Sequence, residues 1–232
     1  MRRTRLFSLA ILLLLGAAVG LSALGLDVEL KGGGGLAMGT TDDSNKSGEL
    51  RYALDAGLSL DLYLLELGRL SLGLSGGAGY ANLNYHGVDN GITFPITTIQ
   101  TSDSTYNYVL FPVALVAKMG LGDRHSLTLR GGGFAGYFLS GTTDLSYTVE
   151  LAGVFDNGEK PLNDTNTELW MYGLSFYVGL DVFTRGKLGI GPSLQFDVGL
   201  TDASIDAMQP TPSNDTFWAL TANVGIRYSL LQ

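Results

Sequence analysis

The chain of 232 residues has no cysteine, two histidines and only 14 Lys+Arg. Without thiols there is no disulfide framework, no thiolate metal site and no cysteine nucleophile. Those 14 basic residues stand against 22 Asp+Glu, so no basic composition is available for a phosphate backbone and nucleic acid is excluded as a partner. Charged residues of both signs reach only 16% while 45% are hydrophobic, which is too apolar for a disordered chain. No Pro/Ser-rich linker divides the sequence, which implies one domain. Glycine, by contrast, is abundant at 33 residues, unusual for a packed soluble core.

A long apolar run occurs once, at the start. Met1, Arg2, Arg3, Thr4 and Arg5 form a basic head, residues 6–20 an apolar core containing Leu12 to Leu15, and small residues follow to Gly25. This is the pattern of a secretory signal peptide over residues 1–25, with cleavage after Ala23 or Gly25, leaving a β-barrel domain over 26–232. The strongly apolar core points to the general secretory route, and the lack of a following cysteine excludes a lipoprotein. Loss of the three arginines leaves 11 basic against 22 acidic residues.

Beyond the signal the hydrophobicity recurs with period two, which predicts strands rather than helices. In residues 26–39 the even positions are Leu26, Val28, Leu30, Gly32, Gly34, Leu36 and Met38, with Asp27, Glu29 and Lys31 between them. Residues 50–64 repeat the pattern, with leucines on one face and Arg51, Asp55 and Asp61 on the other. Further segments at 69–81, 109–119, 126–140, 170–183, 187–201 and 218–230 bring the count to eight. Each is near or above the roughly 9 to 11 residues that cross a bilayer as a tilted strand. The connections alternate between short turns at 65–68, 120–125 and 184–186 and long segments at 40–49, 83–107, 141–169 and 202–217. Outer-membrane barrels alternate in this way, with short periplasmic turns and long outer loops. The expected fold is therefore all-β, an eight-stranded antiparallel up-and-down transmembrane β-barrel.

Charge divides along the same lines. The long segments hold fourteen acids against Lys46 and Lys160, whereas the polar phase of the strands is nearly balanced. That phase predicts a lumenal charge network of Asp27, Glu29, Lys31, Arg51, Asp55, Asp61, Lys118, Arg130, Asp181, Asp197 and Arg227. Tyr52, Tyr80, Tyr137, Trp170, Tyr172 and Trp218 share the apolar phase near the long-segment ends of their strands, as an aromatic girdle at a membrane interface would. In residues 145–151 the alternation resumes after Ser140 and Gly141, in the odd phase of Leu127 and Leu129. This predicts a strand continuing past a bulge into a projecting hairpin with its tip at 156–160.

In these features the chain resembles the small eight-stranded outer-membrane barrels of the OmpA/OmpX/OmpW type, including PorT-like outer membrane protein β-barrel families. The last strand, Asn223-Val-Gly225-Ile-Arg-Tyr228-Ser-Leu230, resembles the terminal signal read by the outer-membrane assembly machinery, although the chain ends Leu230-Leu231-Gln232 without the usual terminal aromatic. Tyr108-Val-Leu-Phe-Pro112 resembles the Tyr-x-x-x-Pro strand of PorT-like barrels. The resemblance implies outer-membrane lipid and the assembly machinery as partners, and a location in the outer membrane of a diderm bacterium.

Chemistry-bearing motifs are few. The glycine clusters at 32–35, 76–77 and 131–133 lack the Lys-Ser/Thr and the helix of a phosphate loop, and read as bends in a tightly curved barrel. His86 falls in a long segment and His125 in a short turn, at opposite ends, so they cannot share a metal. Barrel enzymes acting on lipids commonly need a histidine beside Ser or a carboxylate; His86 is the candidate on that side and reads as a solvated loop residue. No catalytic, cofactor-binding or metal residue is expected. The expected function is non-enzymatic: a monomeric barrel with a charge-filled lumen whose acidic loops meet an external protein or surface ligand, for adhesion, partner binding or envelope integrity. The alternatives are a narrow conduit for small or apolar solutes, with Phe134, Phe138, Tyr177 and Phe183 on the lumen phase, and a lipid-modifying enzyme.

Overall fold

The computed structural model describes residues 25–41, 46–93, 96–149, 153–162, 169–185, 187–201 and 215–231. Residues 1–24 of the expected export signal lie outside them. Ten strands follow in order: β1 (Gly25–Thr41), β2 (Lys46–Glu49), β3 (Arg51–Leu67), β4 (Leu70–Thr93), β5 (Ile96–Gly120), β6 (His125–Val149), β7 (Gly153–Leu162), β8 (Trp170–Arg185), β9 (Leu188–Gly199) and β10 (Asp215–Leu231). Eight of them, β1, β3, β4, β5, β6, β8, β9 and β10, pair antiparallel with their neighbours and close into a ring, the seam being β1 against β10. β2 and β7 are additions, paired to β4 and β6.

The two phases of each strand separate inside from outside. Val113 and Leu115 are 62% and 70% exposed on the outward face, while Asp61 and Arg227 are 1% and 0% exposed within. An apolar exterior around a polar interior inverts a soluble barrel and suits lipid outside. Small residues make the tight ring feasible: a Cβ at inward-facing Gly35 would overlap the Leu220 carbonyl across the seam, so the strands there approach too closely for any side chain. At the short-turn end Gly68 has φ of +66°, the left-handed conformation a tight turn demands.

The long segments differ from expectation. Residues 83–107 are not a loop: β4 and β5 run on as a paired hairpin to Thr93 and Ile96. β6 likewise continues to Val149, paired first to β8 and then, beyond Tyr137, to β7. The projecting hairpin is therefore present, but residues 156–160 sit within β7, paired to β6, rather than at its tip. A bulge at Leu139 also reverses the phase of β6, so the odd numbering that carries Leu127 and Leu129 outward does not persist past it. The strands β4, β5 and β6 thus reach 24, 25 and 25 residues, against 12 for β9, and build a wall on one side of the ring.

Candidate functional site

The lumen is filled in two layers. Toward the short-turn end, alternate positions of neighbouring strands bring the charges face to face. Glu29 lies directly opposite Arg227 across β1 and β10, and Asp27 opposite Asp61 across β1 and β3. The Arg227 guanidinium, fully buried, lies 3.1 Å from Glu29, 3.2 Å from Asp181, 3.5 Å from Asp61 and 3.8 Å from Asp27. Arg130 enters from β6 to donate to Asp61 and Glu29, with its plane 4.4 Å from the Tyr177 ring centroid. Tyr177 donates its hydroxyl to Glu29, and Lys118 pairs with Asp27 at 2.6 Å. Higher in the barrel Lys31 bridges Asp55, at 2.7 Å, and Gln195, which in turn donates to Asp197 at 2.7 Å. Gly225 belongs to this arrangement, because a Cβ there would come within 2.7 Å of the Glu29 carboxylate. Charges this deeply buried are tolerable only when paired and hydrogen-bonded, and here nearly every one is.

Arg51 departs from the expected network. It is the first residue of β3 and stands in register with inward-facing Ala37, but at the end of the strand far from the short turns, out of reach of the other lumenal charges. Its guanidinium lies 3.3 Å from Asp103 and 3.8 Å from Glu49, both exposed, while the other ten charges occupy the lumen.

Above the charges lies an apolar layer. Tyr108, Leu110, Phe134, Phe138 and Met171 pack against Ala37, Ala53, Ala81 and Ala219, with Tyr106 and Phe217 at its edge. Tyr108 meets Phe138 edge-on at 5.7 Å and Phe217 in a stacked arrangement at 6.5 Å. Between the two layers remains a cavity of about 50 Å³ lined by Lys31, Asp55, Arg130, Phe134, Tyr177, Gln195 and Asp197. That holds a few waters and no larger solute. A larger concavity, about 860 Å³, is bordered by Leu115, Leu129, Phe176, Leu194 and Phe196, all exposed outward. It spans β5, β6, β8 and β9 rather than the projecting wall, and Arg130, Tyr177 and Gln195 of the lumenal phase also border it.

Phe134 and Phe138 of this layer are expected on the lumen phase, whereas Tyr108 and Leu110 escaped the sequence reading because β5 is hydrophobic in both phases. Val109, Phe111, Val113 and Leu115 lie outward, and Leu110, Pro112 and Val116 on the other phase. A strand apolar on both faces signals burial on both sides, which was the available clue. Of the expected conduit residues, Phe134, Phe138 and Tyr177 are buried in the lumen, and the side chain of Phe183 lies outside the described residues.

The girdle residues Tyr52, Tyr80, Tyr137, Trp170 and Tyr172 are exposed outward; Trp218 is half-buried, 6.1 Å from Phe196. Tyr137 and Trp170 are register partners with rings 5.1 Å apart. In the terminal strand, Asn223 and Gly225 face inward while Tyr228 and Leu230 are exposed.

Just beyond the girdle, the outward face of β4, β5 and β6 carries a chain of hydrogen-bonded amides and hydroxyls that sequence reading missed. Tyr80 and Asn82 both donate to the Asn107 Oδ1, Asn84 to Asn82 and Thr105 to Asn84, while Asn107 donates to Ser140. At its far end His86 Nδ1 lies 2.7 Å from Asp103. His86 thus has a carboxylate partner, 17 residues on, which a loop reading of 83–107 could not supply. Among the described residues no cluster of three His, Asp or Glu side chains is arranged to hold a metal.

No curated protein matches the chain. Solved structures share its architecture. OprG of Pseudomonas aeruginosa is 10% identical, with 90% of this chain and 98% of that one covered and a TM-score of 0.49. Neisserial surface protein A is 10% identical, covering 88% and 96%, at 0.39. The outer membrane enzyme PagL is 16% identical, covering 85% and 97%, at 0.36. Likeness at this level bears on fold alone. Residues 10–204 match the model of the outer membrane protein β-barrel domain, and with the ring of eight strands, the apolar exterior and the charged interior already in place, the chain belongs to that family.

Proposed function

We propose that this protein is a non-conducting, non-enzymatic anchor that holds a one-sided β-sheet wall above the outer membrane for contact with an external macromolecule. The observation that carries this is the filled lumen. A tightly paired charge layer and an aromatic–aliphatic layer lie in series, with about 50 Å³ between them. Eight strands enclose an interior just wide enough for side chains to fill it, and here they do. The sequence invests instead in β4, β5 and β6, whose hairpins extend past the girdle with β2 and β7 alongside. Acidic residues concentrate in those projecting segments, which favours a partner with a complementary basic surface.

Refolded protein in planar bilayers tests the closed lumen. We expect no stepwise conductance above the bare bilayer; regular channels of uniform size would replace this reading with the conduit. The His86–Asp103 pair supports one second reading, a lipid-modifying enzyme, because a carboxylate on Nδ1 orients an imidazole as a base. Incubation with glycolipid, comparing wild type and His86→Ala for released fatty acid, decides it; His86-dependent release would establish the enzyme.

A further inference from the structure

The amide and hydroxyl ladder on the outward face has a position that constrains its partner. Tyr80 belongs to two surfaces at once: it is 41% exposed among the girdle aromatics, and its hydroxyl donates to Asn107 in the ladder. The ladder is therefore continuous with the lipid-facing surface and faces the same way. Whatever lies beside the barrel at this height meets amides and hydroxyls rather than leucines.

The ladder is only partly satisfied by itself. An asparagine side chain offers two donors and two acceptor lone pairs. Among the described residues Asn82 donates once and accepts once, and Asn107 accepts twice but donates once. Ser140 and Thr142 stand exposed beside them on β6. The unused capacity is of both kinds, donor and acceptor, spread over neighbouring strands. That matches the hydroxyl groups of a sugar, which also give and take. It does not match a phosphate, which only accepts. The charged groups next along the same wall discourage anions further, since Arg51 pairs there with both Glu49 and Asp103, and Asp144 stands opposite Asp103.

We infer that this ladder is a contact site for the neutral sugar headgroups of glycolipid in the surrounding leaflet. The site grips lipid from the side, with the girdle seating the acyl region and Asn82, Asn107 and Ser140 engaging the sugar above it. The inference extends the reading of an outward wall but does not depend on what that wall binds at its tip.

The test uses full-length mature protein in nanodiscs and the side-chain amide NMR signals of Asn82 and Asn107. Discs of phosphatidylcholine give the baseline; digalactosyl diacylglycerol or phosphatidylglycerol is then added in equal amounts. Both leaflets carry the added lipid, so the outcome reads on the ladder and not on which end of the barrel faces outside. We expect the digalactosyl lipid to shift both signals saturably, with phosphatidylglycerol leaving them near baseline. Asn107→Ala should weaken the response, read at the Asn82 signal, by about three- to ten-fold, the worth of a lost hydrogen bond. Ser140→Ala, at an exposed position where folding is not at stake, should weaken it similarly. An equal or larger response to phosphatidylglycerol would overturn the inference in favour of anion binding. Signals that respond to neither lipid would overturn it as well and leave the ladder to a protein partner.

Discussion

Glu29 and Arg227 stand directly opposite one another across the seam that closes the barrel, 198 residues apart in sequence and 3.1 Å apart in space. The first and last strands of the ring are therefore joined by a buried ion pair as well as by the backbone ladder. Removing only that cation leaves buried Asp181 without its ion-pair partner and leaves Glu29 and Asp61 to Arg130 alone. We predict that Arg227→Met destabilises the barrel by about 3–5 kcal/mol, read from urea unfolding in lipid. Adding Asp181→Asn to it should recover part of that loss, because the stranded charge is gone. Arg51→Ala should cost no more than about 1 kcal/mol, since its pairs with Glu49 and Asp103 are exposed. Equal costs at 51 and 227 would place both in one network.

Two lumenal tyrosines should respond in opposite directions. Tyr177 donates its hydroxyl to the Glu29 carboxylate, whereas the hydroxyl of Tyr108 is buried in the apolar layer without a hydrogen-bond partner among the described residues. Tyr177→Phe forfeits a charge-assisted hydrogen bond and should cost about 1.5–3 kcal/mol. Tyr108→Phe removes an unsatisfied polar group and should be neutral or stabilising by up to about 1 kcal/mol. Unfolding midpoints of the two variants measured side by side check the sign; a large loss for Tyr108→Phe would mean that its hydroxyl has a partner.

The outward face gives a third expectation. Leu58, Leu194 and Val224 are about half exposed or more on the outside of the ring, at the level of the bilayer. Cysteines at these positions should resist water-soluble thiol reagents in intact membranes, while a cysteine at Thr142 on the wall should label on whole cells and one at Arg69 should not. Leu58→Arg should cost about 2–4 kcal/mol, the penalty for a cation on a lipid face near the midplane. A neutral Leu58→Arg would mean that this face does not meet lipid.

What could be read from sequence follows from where alternation has a physical cause. β1 and β3 separate oil from water, so Asp27, Glu29, Asp55 and Asp61 declared the lumen while Leu30, Leu58 and Leu60 declared the exterior. β5 has an apolar layer on one side and lipid on the other, and its two hydrophobic phases hid Tyr108 and Leu110. Residues 83–107 carry no such contrast: on the outward phase Asn84 and His86 face Thr105 and Asp103, and on the other phase Leu83 and Tyr85 face Tyr106 and Ser104. A strand that is polar on one face and mixed on the other has no clear hydrophobic period to reveal it. Arg51 shows the remaining weakness, because a shared phase does not tell how far along the strand a charge lies: Arg51 keeps the register of Ala37 yet pairs with exposed Glu49 and Asp103.

The projecting hairpin offers a test of where its connection falls. β6 ends at Val149 and β7 begins at Gly153, with Asp144 paired to Glu159 in register. Glu150 therefore lies between the strands, whereas Glu159 lies inside one. A protease specific for glutamate needs an extended segment free of its ladder to enter its cleft, so paired backbone is protected and a connection between strands is the preferred point of attack. We predict that limited digestion of intact cells cuts after Glu150 well before Glu159, with the order read by mass spectrometry of the released and retained fragments. Placing Pro at Gly153 tests the same point from the other side. It removes a backbone N–H where β7 starts opposite Val149 and should bring cleavage at Glu159 forward by loosening that strand. Simultaneous cutting at both glutamates in the unaltered protein would mean that β6 and β7 are not paired above the membrane, and the wall would lose its far strand.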